Sequence, residues 1–157
     1  MPEALSIDQR QEFLAAARVG VLAVASERPD RAPVTAPIWY TYTPGGDLLV
    51  ITGKTTRKGK AIDAARRFSM TVQQEQLPYR YVMVEGPVVE IRPCDLEADL
   101  VPMAVRYLGE KIGRAYGQDW LGWGGAESDL VYVMKPQYWN TADLGADLAQ
   151  YTEPAIR

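Results

Sequence analysis

Residues 80–91 read as one long strand, and it carries Gly86-Pro87 in its interior. Proline cannot donate to a sheet ladder, and glycine inside a strand marks a bulge or a tight bend. A Gly-Pro pair there therefore predicts a barrel corner rather than a flat sheet. The neighbouring segments agree. Val19 to Ala25 is an almost unbroken apolar run, which reads as a strand covered on both sides. Ala32 to Thr43 is a second strand, confined by Pro33 and Pro37 to an edge or to bulges. Pro44-Gly45-Gly46-Asp47 is a hairpin turn leading into a strand from Leu48 to Thr52. Phe68 to Gln73 and Leu130 to Met134 complete the strands.

Helical spacing appears between and after them. Ser6 with Gln9 forms a capping box that opens a helix through Ala17 with Ile7, Phe13 and Leu14 on its apolar face. From Arg57 to Arg67 the period changes, with Ala61, Ile62 and Ala65 on one face. Asp95 caps a further helix reaching Tyr107, and Gly109 to Tyr116 forms another. Gln118 to Asp129, rich in Gly and Trp, reads as a loop. This order predicts a mainly β, α+β chain, a barrel with helices packed outside it. The 157 residues suit one domain, residues 1–157, with about 143–157 as a C-terminal tail.

What is missing from the sequence narrows the chemistry. There is no histidine, which removes Ser-His and Cys-His nucleophiles and the usual zinc sites. Cys94 is the only cysteine, so a cytoplasmic, reducing setting is expected, with Cys94 structural. The N-terminus has no signal-peptide pattern, and no apolar stretch is long enough to span a bilayer. The net charge of −3 is too weakly polarised along the chain for a nucleic-acid surface.

The strongest local signal is the segment Gly53 to Lys60. Lys54, Arg57, Lys58 and Lys60 crowd there, and no carboxylate lies between Asp47 and Asp63. Cations at a helix start oppose the helix dipole by roughly 0.3–1 kcal/mol each. A bound anion would reverse that sign, gripped by amides, by the hydroxyls of Thr55 and Thr56, and by the cations. The competing reading is a solvated basic helix end. A P-loop is excluded, since Leu48 stands where its first glycine is needed, and no G-x-G-x-x-G occurs.

Three stretches, in this order, resemble the pyridoxamine-5′-phosphate-oxidase-like superfamily. They are Pro33 to Tyr40 with Leu49 to Thr52 and Thr56-Arg57-Lys58, then Pro78 to Gly86, then Lys135 to Trp139. The resemblance implies a six-stranded split β-barrel with peripheral helices, acting as a homodimer with cofactor sites across its interface. It further implies that Thr56, Arg57 and Lys58 hold the cofactor phosphate. Pro37, Ile38, Trp39, Tyr40 and Thr52 would then line an isoalloxazine or deazaflavin ring, and Tyr81 would reach in from the second subunit. The basic substrate residues of the vitamin B6 oxidases are not found, with Gln137 and Asn140 standing there instead. Pro78 to Val82 and the extra cations Lys54 and Lys60 look more like the F420 (deazaflavin)-dependent reductases, whose coenzyme has an acidic tail.

The implied function is hydride transfer between bound F420 or FMN and a small organic acceptor, with cofactor-placing residues and no catalytic side chain named. The alternative is a non-catalytic protein that binds or sequesters FMN, F420 or haem. Trp120 and Trp123 are candidates for a lid over the ring or for surface and interface packing. Tyr138 and Trp139 either flank the cofactor or pack.

Overall fold

The computed structural model describes residues 1–151. The chain opens with α1 (Ile7–Ala15), started by the expected capping box: Gln9 N donates to Ser6 Oγ (3.2 Å) and Ser6 N to Gln9 Oε1 (2.9 Å). Then follow β1 (Gly20–Val24), β2 (Val34–Ile38), β3 (Tyr40–Tyr42), β4 (Leu48–Gly53), α2 (Arg57–Ala65), β5 (Arg67–Gln73) and β6 (Arg80–Pro93). A π-type turn over Leu96–Leu100 leads into α3 (Val101–Leu108) and α4 (Glu110–Gly122). The chain continues with α5 (Gly125–Ser128), β7 (Asp129–Met134), β8 (Tyr138–Asp143) and α6 (Gly145–Leu148).

All strand pairs are antiparallel, in the order β2-β1-β5-β6-β7-β4-β3, with β8 also on β6. Strands β2 and β3 stand at opposite ends of that order, yet only Trp39 separates them. One pass of chain therefore bends from one end of the sheet to the other and curls it into a barrel. Strands β7 and β8 likewise run one after the other along β6, interrupted at 135–137. Counted as passes of chain, the sheet has the expected six strands.

The corner expected at Gly86-Pro87 is present. The ladder from β6 shifts register between Val88 and Glu90, just beyond the pair. A Cβ at Gly86 would collide with the Lys135 carbonyl, so glycine is what lets the β7–β8 connection lie against β6.

Alternation decides which side chains fill the barrel. Leu48 and Val50, Met70 and Val72, Val82 and Val84, and Tyr132 and Met134 point inward and are fully buried. The opposite faces of β4 and β7 are not solvated. Leu49, Ile51, Val131 and Val133 pack outward against Leu96, Leu100, Tyr116 and Trp120 in a second cluster beneath the helices. This explains the continuous apolar run at Leu130 to Met134.

Five expectations need correction. The helix α1 stops at Ala15 rather than Ala17. The strand expected from Ala32 to Thr43 is split at Trp39. Residues 118–129 are mostly helical: α4 continues to Gly122 and α5 follows. Earlier in α4, a Cβ at Gly113 would press on the Val105 backbone (2.6 Å) and one at Gly117 on Val101, so these glycines serve helix packing. Strand β1 is covered on one side only within the chain, leaving Val19 and Val21 exposed at 53% and 43%. Finally, β8 is a full strand, and the expected tail is tied down at its start by Arg80 Nε donating to Asp143 Oδ2 (2.8 Å). Residues 152–157 of that tail lie outside the described residues.

Candidate functional site

The site is built on the junction of β4 and α2. Thr56 is the N-cap of α2: its Oγ1 accepts from Gly59 N (3.1 Å) and donates to the Gly53 carbonyl (2.7 Å), with Thr52 Oγ1 at 3.3 Å. A Cβ at Gly59 would strike that same carbonyl, so the first turn of the helix sits directly on the strand end. The Thr56 hydroxyl is thereby committed within the chain. The amides of Arg57 and Lys58, at the first two helical positions, have no acceptor within the helix.

No acid occupies the first turn of α2. Asp63, further along, is taken by Arg66 (3.0 Å). Among the described residues none of Lys54, Arg57, Lys58 and Lys60 enters an ion pair. A cluster of uncompensated cations thus surrounds a fixed helix N-terminus.

Beside this junction lies an open cleft of about 480 Å³. Its barrel side is formed by Pro37, Ile38 and Trp39 at the end of β2 and by Thr52, Gly53, Thr56 and Lys58. Its other side comes from the helices, through Leu100, Met103, Ala104, Tyr116 and Trp120, with Asp129 at the head of β7.

The structure brings six of the residues singled out in the sequence into this cleft: Pro37, Ile38, Trp39, Thr52, Thr56 and Lys58. It places the other five elsewhere. Tyr40 points into the barrel core, fully buried, with its hydroxyl donating to Leu14 O at 2.6 Å. Burial, then the nearby Tyr107, pushes its phenol up to about 12. Lys54 lies in the turn before α2, its amide donating to Ser128 O (2.9 Å) and its side chain exposed. Arg57 and Lys60 are exposed on α2. Tyr81 lies on β6 in a separate shallow hollow with Tyr79 and Arg80, so within one chain it does not meet the cleft.

Trp39 is held by stacking on Tyr107, with ring centres 4.9 Å apart and planes within 7°. Tyr116 approaches the Trp39 ring at 5.6 Å, and Trp123 meets the edge of Tyr116 at 5.7 Å. Trp120 is no lid: it is buried, and its Nε1 donates to Asp129 Oδ2 (2.8 Å). A Cβ at Gly125 would overlap its indole, so the backbone there is shaped around it. Trp123 is 68% exposed at the rim. Trp139 packs against the core, edge-on to Tyr42, and Tyr138 is exposed.

Apart from Trp120, the helical wall was not anticipated as part of the site. Its signal was present: Leu100, Met103 and Ala104 fall at i, i+3, i+4, and Tyr116 and Trp120 at i, i+4. Among the described residues no cluster of side chains could hold a metal ion, and no helix is long and apolar enough to cross a membrane.

Comparison with known proteins adds to this geometry. A search of the curated proteins finds no match. Among solved structures, an F420 reductase is 24% identical, with 83% of this chain and 94% of that one covered and a TM-score of 0.64. A conserved hypothetical protein of Mycobacterium tuberculosis is 19% identical over 98% and 91% of the two chains, at a TM-score of 0.71. A FAD-binding protein of Mesorhizobium loti is 20% identical over 90% and 96%, at 0.58. At these identities the likeness is one of fold. The family model described as pyridoxamine 5′-phosphate oxidase matches residues 6–142, most of the barrel and both walls of the cleft, and the chain belongs to that family.

Proposed function

We propose that the protein is an oxidoreductase that holds FMN or F420 with its phosphate at the start of α2 and its ring along the cleft, and reduces a small organic acceptor. The observation that carries this reading is the group of unpaired cations around a rigid, acid-free helix N-terminus at the end of a cleft. Charge, free amides and helix dipole all favour an anion there. The solved structures of an F420 reductase and a FAD-binding protein with the same fold support a flavin-type ligand.

When bound, such a cofactor supplies the hydride chemistry. The chain's own residues would place and shield it. Arg57, Lys58 and the first amides of α2 would hold the phosphate, with Lys54 and Lys60 adding charge suited to an acidic tail. Pro37, Ile38, Trp39 and Thr52 would flank the ring, and Leu100 and Met103 would exclude water from the far wall. The exposed Val19 and Val21 support a homodimer in which a second copy covers β1 and supplies its Tyr81 to the site.

The test is a titration with FMN and with F420, followed by desalting and an absorbance spectrum. Replacing Arg57 and Lys58 together by Ala removes two charge-assisted contacts worth about 1.5–3 kcal/mol each. Affinity is expected to fall at least about a hundredfold with the thermal midpoint unchanged. Unchanged affinity would remove the phosphate assignment. Binding of the reduced coenzyme without faster oxidation across quinone, nitroaromatic and tetrapyrrole acceptors would make the protein a carrier instead.

A further inference from the structure

The corner that suits an anion also holds a carboxylate. Asp129 pairs with Gly53 across the ladder of β4 and β7. A Cβ at Gly53 would lie 3.1 Å from the Thr56 methyl and 3.4 Å from Asp129 Oδ1, so the acid and the N-cap of α2 meet at one strand end. The neighbouring backbone is tied there too, since Lys54 N donates to Ser128 O (2.9 Å). The carboxylate is fixed: Oδ2 accepts from Trp120 Nε1 (2.8 Å) and Oδ1 from Ser128 Oγ (3.0 Å). Both donors are neutral, and among the described residues no cation pairs with it.

The charge inside the cleft therefore differs from the charge around it. Among the described residues that line it, only Lys58 and Asp129 are charged, and both are half-buried. Lys54, Arg57 and Lys60 are exposed outside it. Lys58 and Asp129 offset each other, which leaves the α2 N-terminus with roughly half an elementary positive charge. That balance suits a single negative charge. A phosphate monoester carries about 1.5 to 2 negative charges at neutral pH, because its second ionisation lies near about pH 6. A phosphate esterified on both sides has no second acidic hydroxyl and carries one. Repulsion between Asp129 and a second charge acts across a half-buried site, whereas the exposed cations act through screening solvent.

We propose that Asp129 is a specificity-determining residue, which makes this corner select a phosphate diester over a phosphate monoester. The assignment rests on the phosphate reading above and narrows the class of ligand it admits. Lys54, Arg57 and Lys60 then remain for charges carried on the second arm of the diester, outside the cleft.

FMN and its phosphate methyl ester share one ring and differ in that second charge. Both are titrated by flavin fluorescence into the full chain and into Asp129→Asn, which keeps an oxygen acceptor for Trp120. The wild-type chain is expected to prefer the ester, a readout that needs no variant. Asp129→Asn is expected to raise affinity for FMN about tenfold more than affinity for the ester, with the thermal midpoint retained. A merely structural role would move both ligands together, so an unchanged ratio overturns the proposal, as does a wild-type preference for FMN. Methyl phosphate and dimethyl phosphate, followed by the amide NMR shifts of Arg57 and Lys58, repeat the comparison without a ring. If neither flavin binds while dimethyl phosphate is selected in an Asp129-dependent way, the selectivity stands and the cofactor reading falls. If neither pair binds, both fall.

Discussion

Asp99 shows how one side chain fixes the helical wall of the cleft. Its carboxylate accepts from Arg92 Nη1 and Nη2 at 2.6 and 2.7 Å, and from Asp95 N at 2.9 Å. The Arg92 hydrogen bonds hold Asp99 below the usual carboxylate range against the opposing effect of burial. A depressed acid stabilises the fold above its unfolded value of about 3.9, and that contribution is lost as pH falls through the lower folded value. Asp99→Asn is therefore expected to cost about 1–3 kcal/mol at neutral pH. In strong acid the two proteins should converge in urea midpoint; a difference that persists there would contradict the account. Cys94 is the complementary case. Burial, then the charges of Asp99 and Asp129, pushes its thiol up to about 12. Folded protein should resist a disulfide reagent at neutral pH and react in denaturant; rapid native labelling would show the site is open. A structural Cys94 was legible in the sequence from its neighbours. The Asp99 fork was not, because its partner lies across a turn from β6.

At the scale of elements, glycine carried both the best and the worst of the sequence reading. Gly86-Pro87 announced a corner, and the corner is there, because two consecutive residues unsuited to a ladder leave few alternatives. The Gly- and Trp-rich stretch 118–129 misled, because a glycine that serves packing looks the same in sequence as one that opens a loop. Only the facing surface, the Trp120 indole against Gly125, distinguishes them. The candidate site divides in the same way. Its α2 end was legible as unbalanced charge, while the α3–α4 wall depends on a crossing that sequence spacing does not specify. Gly86→Val tests the corner. The added side chain meets the Lys135 carbonyl, which is backbone and cannot rotate away. A loss of about 1–3 kcal/mol or more is expected in chemical unfolding. A neutral result would mean that the β7–β8 connection can shift.

For the molecule as a whole, the unresolved quantity of apolar surface lies on β1. The run Val19 to Ala25 promised a strand covered on both faces, and one chain covers only one of them. Val19 and Val21 stand open beside Pro37, where an outer hollow of about 740 Å³ adjoins the cleft. Val19 and Pro37 line both spaces, so whatever covers β1 also closes one side of the cleft. In the homodimer proposed above, a second copy would cover the apolar face and bring its own Tyr81 to the site. Val21→Lys separates these effects, because Val21 faces the hollow and not the cleft. Its charge would have to be buried in a dimer and stays solvated in a monomer, a difference of several kcal/mol per ion. Light scattering at micromolar concentration is expected to show a dimer for the native chain and a monomer for Val21→Lys. The variant should keep its thermal midpoint but bind FMN or F420 more weakly. A native monomer would remove the dimer, and a monomeric variant with full affinity would show that one chain completes the site.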